Sequence, residues 1–430
     1  SRMVERLLTE AREAQAEEER RLGIRREYEA IATLARSKRM EHLALEDWER
    51  FRADYPTWDE DPAALAAWAD AHPLTTARRK VEADADAMRK AEAEAEARRK
   101  AEAEVEARRQ AEAARLAAET VAAVRQAGPT VTPEQKNLVA LIRDPKIPAA
   151  ARAEAGRKLA ALGDPRPGVG LRPDGLPDIA WVDIPAGAFI MGSDDHRADE
   201  KPRRSVTLGS FAIGMFPVTY AQYKAFLEAK DGYANPKWWS EPTKLAVRDD
   251  QPGDQYQKIA NHPAERVNWY DAVAFTRWLT ARLRAAGELK AGTEIRLPTE
   301  DEWEKAARGT DGREYPWGNG YQAGYANIDE KIANAGPAYL ERTTPVGAYP
   351  QGASPFGALD MAGNVWEWTL TEYSNKRSVD LTNDRARVVR GGSWDGGPGS
   401  ARASCRVSYY SPGSRDYFVG FRVVVAAPVS

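Results

Sequence analysis

One cysteine and four histidines are the residues of this sequence that could act as a thiol nucleophile or bind a transition metal. Cys405 has no second thiol with which to form a disulfide or a paired thiolate site. The histidines are far apart and show no H-x-x-x-H or H-E-x-x-H spacing; they are His42, His72, His196 and His262. The sequence therefore predicts neither a disulfide framework nor a local histidine metal site, and it favours Cys405 as a small buried hydrophobe.

A segment that begins at Arg390 has a different chemical character, RGGSWDGGPGSARASCRVSYYSPGSRDYFVGFRVV. Apolar and basic residues such as Trp394 and Phe421 occur between clusters of Gly, Ser, Asp and Tyr that follow no period. Tyrosine and phenylalanine provide large contact areas at low rotamer cost, and Gly, Ser and Asp provide adaptable polar contacts, as in antibody loops. The composition favours ligand recognition, and the alternative is an ordinary glycine-rich surface loop.

The candidate recognition residues are the small, polar and aromatic positions of this segment. They are Asp395, Gly396, Gly397, Gly399, Ser400, Val407, Ser408, Tyr409, Tyr410, Ser411, Gly413, Ser414, Asp416, Tyr417 and Phe418. We expect them to form one exposed patch, with the Trp, Pro and Arg residues buried beneath it. Aromatic residues dominate interface energetics, so the strongest contributions to binding are expected from Tyr409, Tyr410, Tyr417 and Phe418.

The charged residues of the chain limit the class of partner. The sequence has 62 basic and 65 acidic residues, and its net charge of −3 gives no field that attracts nucleic acid or anionic lipid. We therefore interpret Arg402, Arg406, Arg415 and Arg422 as donors to loop carbonyls and not as a phosphate site. Neither a nucleic acid nor a membrane is expected as a partner.

Two further features predict a cytoplasmic protein. No segment reaches the roughly 18 consecutive apolar residues of a membrane span. The first residues, SRMVERLLTEAREAQAEEERR, are charged and lack the apolar stretch of a signal peptide.

The elements that precede this segment divide into four parts by composition. Residues 1–75 show helical apolar spacing, and residues 76–127 are a long stretch rich in Ala, Glu and Arg. Residues 128–170 read as a helical hairpin and a Pro/Gly linker, and residues 171–430 are rich in Gly, Pro, Trp and Tyr. The sequence thus predicts an all-α N-terminal region followed by a mixed domain.

The long stretch repeats every ten residues from Arg79 and contains few large apolar residues. Pairs such as Glu96 and Lys100 have the i,i+4 spacing that supports an isolated helix. We expect a solvated helix, and loose oligomeric packing through alanines stays an alternative. The N-terminal helices are expected to form a homo-oligomer or to contact an effector.

Three helices are predicted in the C-terminal domain because each has a capping residue at its start. Thr219 precedes YAQYKAFLEAK, Asn268 precedes WYDAVAFTRWLTARLRAAG, and Thr299 forms a capping box with Glu302. The remainder is predicted as strand, turn and long loop.

Seven motifs of this domain occur in the order IPAGAFIMGS, FPVTYAQYKAFL, ERVNWYDAVAFTRWL, RLPTEDEWEKAARG, YPWGN, ALDMAGNVWEWT and RGGSW…GFRVV. In these motifs the chain resembles the formylglycine-generating-enzyme (sulfatase-modifying factor) family. The resemblance implies an α+β, C-type-lectin-like domain, in which a twisted antiparallel sheet and two helices support long loops.

The resemblance also implies which chemistry to examine. The enzymes that oxidise a sulfatase cysteine have two nearby cysteines that hold copper, whereas this chain has Gly396 and Ala401 or their neighbours in that region. Another branch makes sulfur–carbon bonds with an iron bound by three histidines, and only His42 and His72 precede the domain. We expect no copper and no formylglycine generation. A divergent oxidoreductase that uses Cys405, or an inactive interaction member, is the alternative.

A further group of relatives suits the C-terminal segment, namely the variable proteins of diversity-generating retroelements. In these proteins, template adenines are miscopied, so that Asn codons of the AAC or AAT type diversify. All candidate recognition residues belong to the set of amino acids that such codons reach. The resemblance implies a hypervariable region at about residues 390–424 that binds a protein or another macromolecule of unknown identity.

The motif LDMAGNVWEW resembles the calcium-binding turn of the family. The resemblance implies a structural Ca²⁺ bound by Asp360, the carbonyls of Gly363 and Val365, and Glu367. Oxygen ligands that include two carboxylates suit this hard cation. The alternative is that Glu367 pairs with an arginine such as Arg390 and that Asp360 caps a turn.

Overall fold

The computed structural model describes residues 2–61, 63–127, 131–239, 252–376, 378–408 and 411–429. The helices are α1 (Arg2–Ala35), α2 (Glu41–Asp54), α3 (Leu65–Ala71), α4 (Pro73–Ala127), α5 (Pro133–Arg143), α6 (Ala149–Leu162), α7 (Tyr220–Glu228), α8 (Trp269–Ala285) and α9 (Glu300–Arg308). The strands are β1 (Trp181–Ile184), β2 (Gly187–Met191), β3 (Arg204–Leu208), β4 (Phe211–Gly214), β5 (Glu294–Arg296), β6 (Trp366–Glu372), β7 (Arg387–Arg390), β8 (Arg406–Val407), β9 (Val419–Phe421) and β10 (Val424–Ala426).

The chain forms two compact units, Ser1–Leu116 and Ala117–Ser430. In the first unit, α1, α2 and α3 pack around an aromatic core. The ring of Tyr28 lies 6.2 Å from that of Trp48 and 6.0 Å from that of Phe51. The first helix is 34 residues long. Among the described residues, no helix combines the length and hydropathy that crossing a bilayer requires.

Helix α4 corresponds to the predicted solvated helix and begins slightly earlier, at Pro73. Its described side chains from residue 76 to residue 101 are exposed. Lys100 pairs with Glu96 at 2.7 Å, as the i,i+4 spacing predicts. Because these side chains bury little, the helix depends on its Ala, Glu and Arg content for stability.

The helical hairpin of α5 and α6 belongs to the second unit and not to a separate linker region. Thr132 and Gln135 form a complete capping box at the start of α5. Arg152 of α6 is buried and its Nε donates to the carbonyl of Ala348 at 2.6 Å. This contact with a distant loop explains why the compact unit begins before the predicted boundary near residue 170.

The strands that the structure describes in the second unit form two four-stranded sheets and one two-stranded sheet. Their strand orders are β1-β4-β10-β5, β8-β7-β6-β9 and β2-β3. All pairs are antiparallel except β6 and β9, which run parallel. Strand β6 is buried along its whole length, because it is central in its sheet and contributes to the main core. We use this name for the cluster of buried apolar side chains that includes Phe275, Trp278, Trp368 and Phe421.

The three capped helices of this unit are confirmed. Thr219, Asn268 and Thr299 each accept a hydrogen bond from the backbone three residues later and form complete capping boxes. The longest, α8, buries Phe275 and Trp278 in the main core. These helices and sheets support the long loops of the C-terminal segment.

Candidate recognition surface

The C-terminal segment consists of two connections that start and end in one sheet. Strand β7 ends at Arg390, and residues 391–405 lead to β8, which pairs with β7. Residues 408–418 then lead to β9, which pairs with β6. Both connections are therefore anchored in the sheet of order β8-β7-β6-β9.

Most of the described candidate recognition residues reach solvent. The half-buried or exposed ones are Asp395, Gly396, Gly397, Gly399, Ser400, Ser408, Ser411, Gly413, Ser414, Asp416, Tyr417 and Phe418. Tyr417 is 42% exposed, whereas Phe418 packs partly against the main core. Tyr409 and Tyr410 lie outside the described residues.

Val407 is placed differently from the prediction. It pairs with Val389 across β8 and β7, is only 5% exposed and belongs to the main core. Strand pairing holds its side chain inside, so Val407 supports the surface and is not part of it.

Two of the candidate glycines have open space around them. A Cβ atom at Gly399 would meet no atom within 4 Å. At Gly413 it would meet only the hydroxyl of Ser411, at 4.0 Å. Neither glycine has a left-handed backbone, so larger side chains fit at both positions.

Gly396 and Gly397 lie beside side chains that can move. A Cβ atom at Gly396 would approach the hydroxyl of Ser400, and one at Gly397 would approach Ile332, which is 45% exposed. Neither of these glycines has a left-handed backbone. A substitution at Gly396 therefore requires the hydroxyl of Ser400 to move, and one at Gly397 requires Ile332 to shift, because a Cβ atom there would lie 2.5 Å from its Cγ2 and 3.0 Å from its Cβ.

The glycines on either side of the candidate positions are constrained instead. Gly391 and Gly392 have φ angles of 97° and 77°, where a side chain is strained. A Cβ atom at Gly392 would also lie 3.0 Å from the backbone carbonyl of Ser400. At Gly420 it would collide with the backbone carbonyl of Ala264. The segment thus contains glycines at which a side chain has space and glycines at which a side chain would be strained or would meet backbone atoms.

Trp394 is 7% exposed and lies within a row of aromatic rings. Its ring centroid is 6.4 Å from that of Tyr339 and 5.7 Å from that of Tyr417. Tyr417 in turn lies 5.8 Å from Tyr256. We call these four residues the aromatic row. The sequence did not identify Tyr256 and Tyr339, since each is a single aromatic residue in a distant loop.

The arginines of the segment are bound mainly to buried carboxylates. Arg402 makes a bidentate ion pair with Glu200, with both N–O distances at 2.7 Å. The Nε atom of Arg406 donates to Glu300 at 2.6 Å, and Arg390 reaches the same carboxylate at 2.8 Å. The C-terminal segment is thereby joined to α9 and to the turn that contains Glu200.

Two more arginines follow the same pattern. Arg415 binds Asp271 at 2.9 Å, and Arg422 binds Glu367 at 2.9 Å. Arg422 also donates to the carbonyl of Gly214 at 2.7 Å. The predicted carbonyl contacts therefore exist, but the prediction missed the carboxylates, which lie 55 to 202 positions away in the sequence.

The predicted calcium ligand Glu367 is fully occupied by protein donors. Arg422 contacts both of its carboxylate oxygens, and the indole N–H of Trp303 donates to one of them at 2.7 Å. Within the described ranges, no group of three or more His, Cys, Asp or Glu residues could hold a metal ion. These contacts do not suit a cation at Glu367, because the cation would have to displace a guanidinium. The pairing corresponds to the alternative interpretation, with Arg422 in place of Arg390.

Two of the other predicted calcium ligands, Asp360 and the carbonyl of Gly363, also have partners. Asp360 is buried and accepts the backbone N–H of Gly347 at 2.6 Å. Burial raises the pKa of Asp360 to about 6, although the N–H of Gly347 opposes this shift. The carbonyl of Gly363 accepts the N–H of Val365 at 3.0 Å. Calcium binding stays a prediction.

Cys405 lies within the C-terminal segment, and its side chain is 2% exposed and belongs to the main core. Burial raises the pKa of its thiol to about 11, and neighbouring Glu200 acts in the same direction. The thiol is therefore protonated at neutral pH and unreactive as a nucleophile.

Residues 175–427 match the family model described as "Sulfatase-modifying factor enzyme 1-like domain". The chain belongs to this family. The predicted fold is confirmed: an α+β, C-type-lectin-like domain of the formylglycine-generating-enzyme type follows an all-α N-terminal region.

Similar proteins include both inactive members and enzymes. Inactive C-alpha-formylglycine-generating enzyme 2 of Mus musculus is 33% identical over 288 residues, which cover 58% of this chain and 87% of that protein. Hercynine oxygenase of Mycolicibacterium smegmatis is 32% identical over 302 residues, which cover 58% of this chain and 63% of the oxygenase. The match thus spans less than two thirds of the oxygenase, and family membership by itself assigns no activity.

Among solved structures, Treponema denticola variable protein 1 aligns with 57% of this chain and 94% of its own, with 24% identity and a TM-score of 0.42.

Proposed function

We propose that this chain is a ligand-recognition protein whose C-terminal domain presents a variable surface to a protein or another macromolecule. The observation that carries the proposal is the contrast between the two sets of glycines. Gly399 and Gly413 have open space where a Cβ atom would stand, whereas a Cβ atom at Gly392 or Gly420 would meet backbone atoms. Surface positions with room tolerate substitution at a cost of only about 0.5 kcal/mol.

The buried ion pairs support the same division between surface and support. Arg402 of the first connection and Arg415 of the second are each paired with a carboxylate outside the segment, so the support of the two connections does not depend on the recognition side chains. A retroelement that rewrites Asn codons is the proposed source of variation, because all candidate residues are reachable from such codons. On this proposal, an adenine-rich, near-identical template copy accompanies the coding region.

The properties of Cys405 support a non-catalytic role. It is the only thiol of the sequence, it is buried, and its pKa is raised to about 11. Neither Gly396 nor Ala401 can supply the second sulfur of a copper site. The similarity to an inactive relative over 87% of that protein's length is consistent with this proposal. A buried, unpaired thiol also suits the reducing cytoplasm, which we propose as the location.

The helices of the first unit are proposed to tether or oligomerise the recognition domain, or to contact an effector. Exposed side chains from residue 76 to residue 101 leave α4 available for such contacts. Sedimentation of the full chain and of residues 131–430 tests this proposal. Equal oligomeric states together with equal sets of captured partners would contradict it.

A substitution series tests whether fold and surface are separable. We expect Gly399→Tyr and Gly413→Tyr to change the free energy of unfolding by about 0.5 kcal/mol or less, since both sites are open. Gly392→Ala and Gly420→Ala should cost about 1–3 kcal/mol through strain and overpacking. Trp394→Ala should cost roughly 3–5 kcal/mol as a core truncation. Urea unfolding of each variant measures these values, and equal losses in both glycine sets would contradict the proposal.

Recognition itself is tested by panning a random-peptide phage library. The full chain and the Gly399→Tyr/Gly413→Tyr double variant serve as targets. We expect each to enrich a different peptide consensus, because the variant has a new surface on the same fold. The same consensus with both targets, or no enrichment with either, would overturn the proposal.

A further inference from the structure

The aromatic row extends beyond the C-terminal segment. Tyr256 lies in the loop that precedes α8, and Tyr339 lies in the long connection between α9 and β6. Two loops outside the C-terminal segment therefore contribute rings to the surface around Trp394 and Tyr417. Tyr256 is 59% exposed and Tyr417 is 42% exposed. Exposed rings in contact with one another form an apolar strip on which a partner can bind.

The loop that carries Tyr339 is joined directly to the first connection of the segment. The N–H of Asp329 donates to the carbonyl of Gly396 at 2.9 Å. Ile332 lies against Gly397. The position of Tyr339 relative to Trp394 is therefore set by backbone contacts of the domain.

Three carboxylates belong to the segments at this end of the strip: Asp395 follows Trp394, Glu341 lies two residues after Tyr339, and the backbone of Asp329 is bonded to Gly396. Burial raises the pKa of the Tyr339 hydroxyl, and the negative charges of these three carboxylates raise it further. Glu341 is exposed, and Asp329 and Asp395 are half-buried. The rim of the strip is thus acidic on the side of Tyr339.

The ring of Tyr339 already carries a cation. The ammonium group of Lys331 lies over it, 5.4 Å from the ring centroid. Cation–π attraction of this kind is worth about 0.5–2 kcal/mol. The lysine shows that the electrostatics of this ring favour a positive charge.

We propose that the aromatic row and the three carboxylates form a subsite, shared between the C-terminal segment and the two loops of Tyr256 and Tyr339, that binds arginine or lysine side chains of a protein partner. This inference rests on the proposed recognition function and adds the chemistry of its ligand. Charge complementarity selects a basic occupant, because a carboxylate or phosphate would be repelled by Asp329, Glu341 and Asp395. The exposed rings of Tyr256 and Tyr417 and the half-buried ring of Tyr339 lie around the buried Trp394, and this strip suits an extended segment of polypeptide better than one small cation.

The test measures the anisotropy of two fluorescein-labelled peptides, GSRGSRGSRG and GSEGSEGSEG, titrated with the full chain. We expect the arginine peptide to bind and the glutamate peptide not to bind. Tyr339→Leu should weaken binding roughly 3- to 30-fold, since it keeps the bulk and removes the π face, whereas Tyr339→Phe should retain binding. Lys331→Met should strengthen binding, because it removes a competing cation.

Matched carboxylate variants complete the experiment. Glu341→Gln should weaken binding, whereas Asp183→Asn, an exposed carboxylate on β1, should leave it unchanged. Equal binding of the two peptides, or a loss on Lys331→Met equal to that on Tyr339→Leu, would overturn the inference. Such a result would leave the glycine series and the library selection unaffected, so failure of the subsite is distinguishable from failure of the recognition function.

Discussion

Arg402 and Glu200 form a bidentate ion pair that joins the C-terminal segment to a turn 202 positions earlier in the chain. Both N–O distances are 2.7 Å, and the hydroxyl of Ser404 donates to the same carboxylate at 2.7 Å. Glu200 is 2% exposed, so its charge has no access to water if the arginine is removed. The pair therefore couples the position of the first connection to the rest of the domain.

Breaking this pair should be costly. We expect Arg402→Met to lower the free energy of unfolding by about 3–5 kcal/mol, because it leaves an uncompensated buried carboxylate. The double variant Arg402→Met/Glu200→Met should lose much less. The exposed pair of Arg313 and Asp311 provides the control, since Arg313→Met should change stability by about 0–1 kcal/mol. Equal effects of Arg402→Met and Arg313→Met in urea unfolding would contradict this assignment.

The free energy of unfolding of the domain should decrease as the pH rises through the pKa of Glu265. This side chain is fully buried, and burial raises its pKa to about 7, although backbone N–H groups of Gln257 and Tyr256 oppose the shift. The folded state thus holds the proton more tightly than the unfolded state, whose carboxyl has a pKa of about 4.3. This contribution is fully present below a pH of about 4 and is lost as the pH rises through 7, by about 4 kcal/mol in total.

The variant Glu265→Gln isolates this effect. We expect it to be more stable than the parent at pH 8 and to lack this part of the pH dependence, as measured by urea unfolding from pH 4 to pH 8. Glu341→Gln, a change of an exposed side chain, should keep the parental profile. A parental profile in Glu265→Gln would show that this carboxyl is not the group responsible.

The contacts of Glu367 lead to a prediction about calcium. Because Arg422 and Trp303 occupy this carboxylate, we expect millimolar Ca²⁺ to leave the melting temperature unchanged. Glu367→Gln should destabilise the domain by about 3–5 kcal/mol with or without Ca²⁺, since it leaves a buried guanidinium unpaired. A rise in melting temperature with Ca²⁺ that Asp360→Asn abolishes would instead support the family-type calcium site.

Cys405 should be chemically silent in the folded protein. Its burial and its pKa of about 11 predict no alkylation by iodoacetamide at pH 8, followed by rapid alkylation in urea. Incubation of the protein with copper and a cysteine-containing sulfatase peptide should yield no aldehyde. Aldehyde formation that Cys405→Ser abolishes would establish the divergent oxidoreductase. If Cys405→Ser leaves peptide selection unchanged, the recognition function is independent of the thiol.

The sequence by itself determined the features that depend on neighbouring residues. The capped starts of α7, α8 and α9 follow from Thr219, Asn268 and Thr299, because a capping box needs only residues three positions apart. The composition of the C-terminal segment likewise identified the recognition candidates, and seven ordered motifs identified the family.

The tertiary structure decided what depends on distant residues. Val407 is in the core because β8 pairs with β7, and the composition around it gave no sign of that pairing. The carboxylate partners of Arg402 and Arg422 lie far away in the sequence, so the same arginines were predicted to bind loop carbonyls. Tyr256 joins the aromatic row for a similar reason. A residue type and its spacing specify local hydrogen bonding, whereas burial and charge pairing are set only when the chain brings separate segments together.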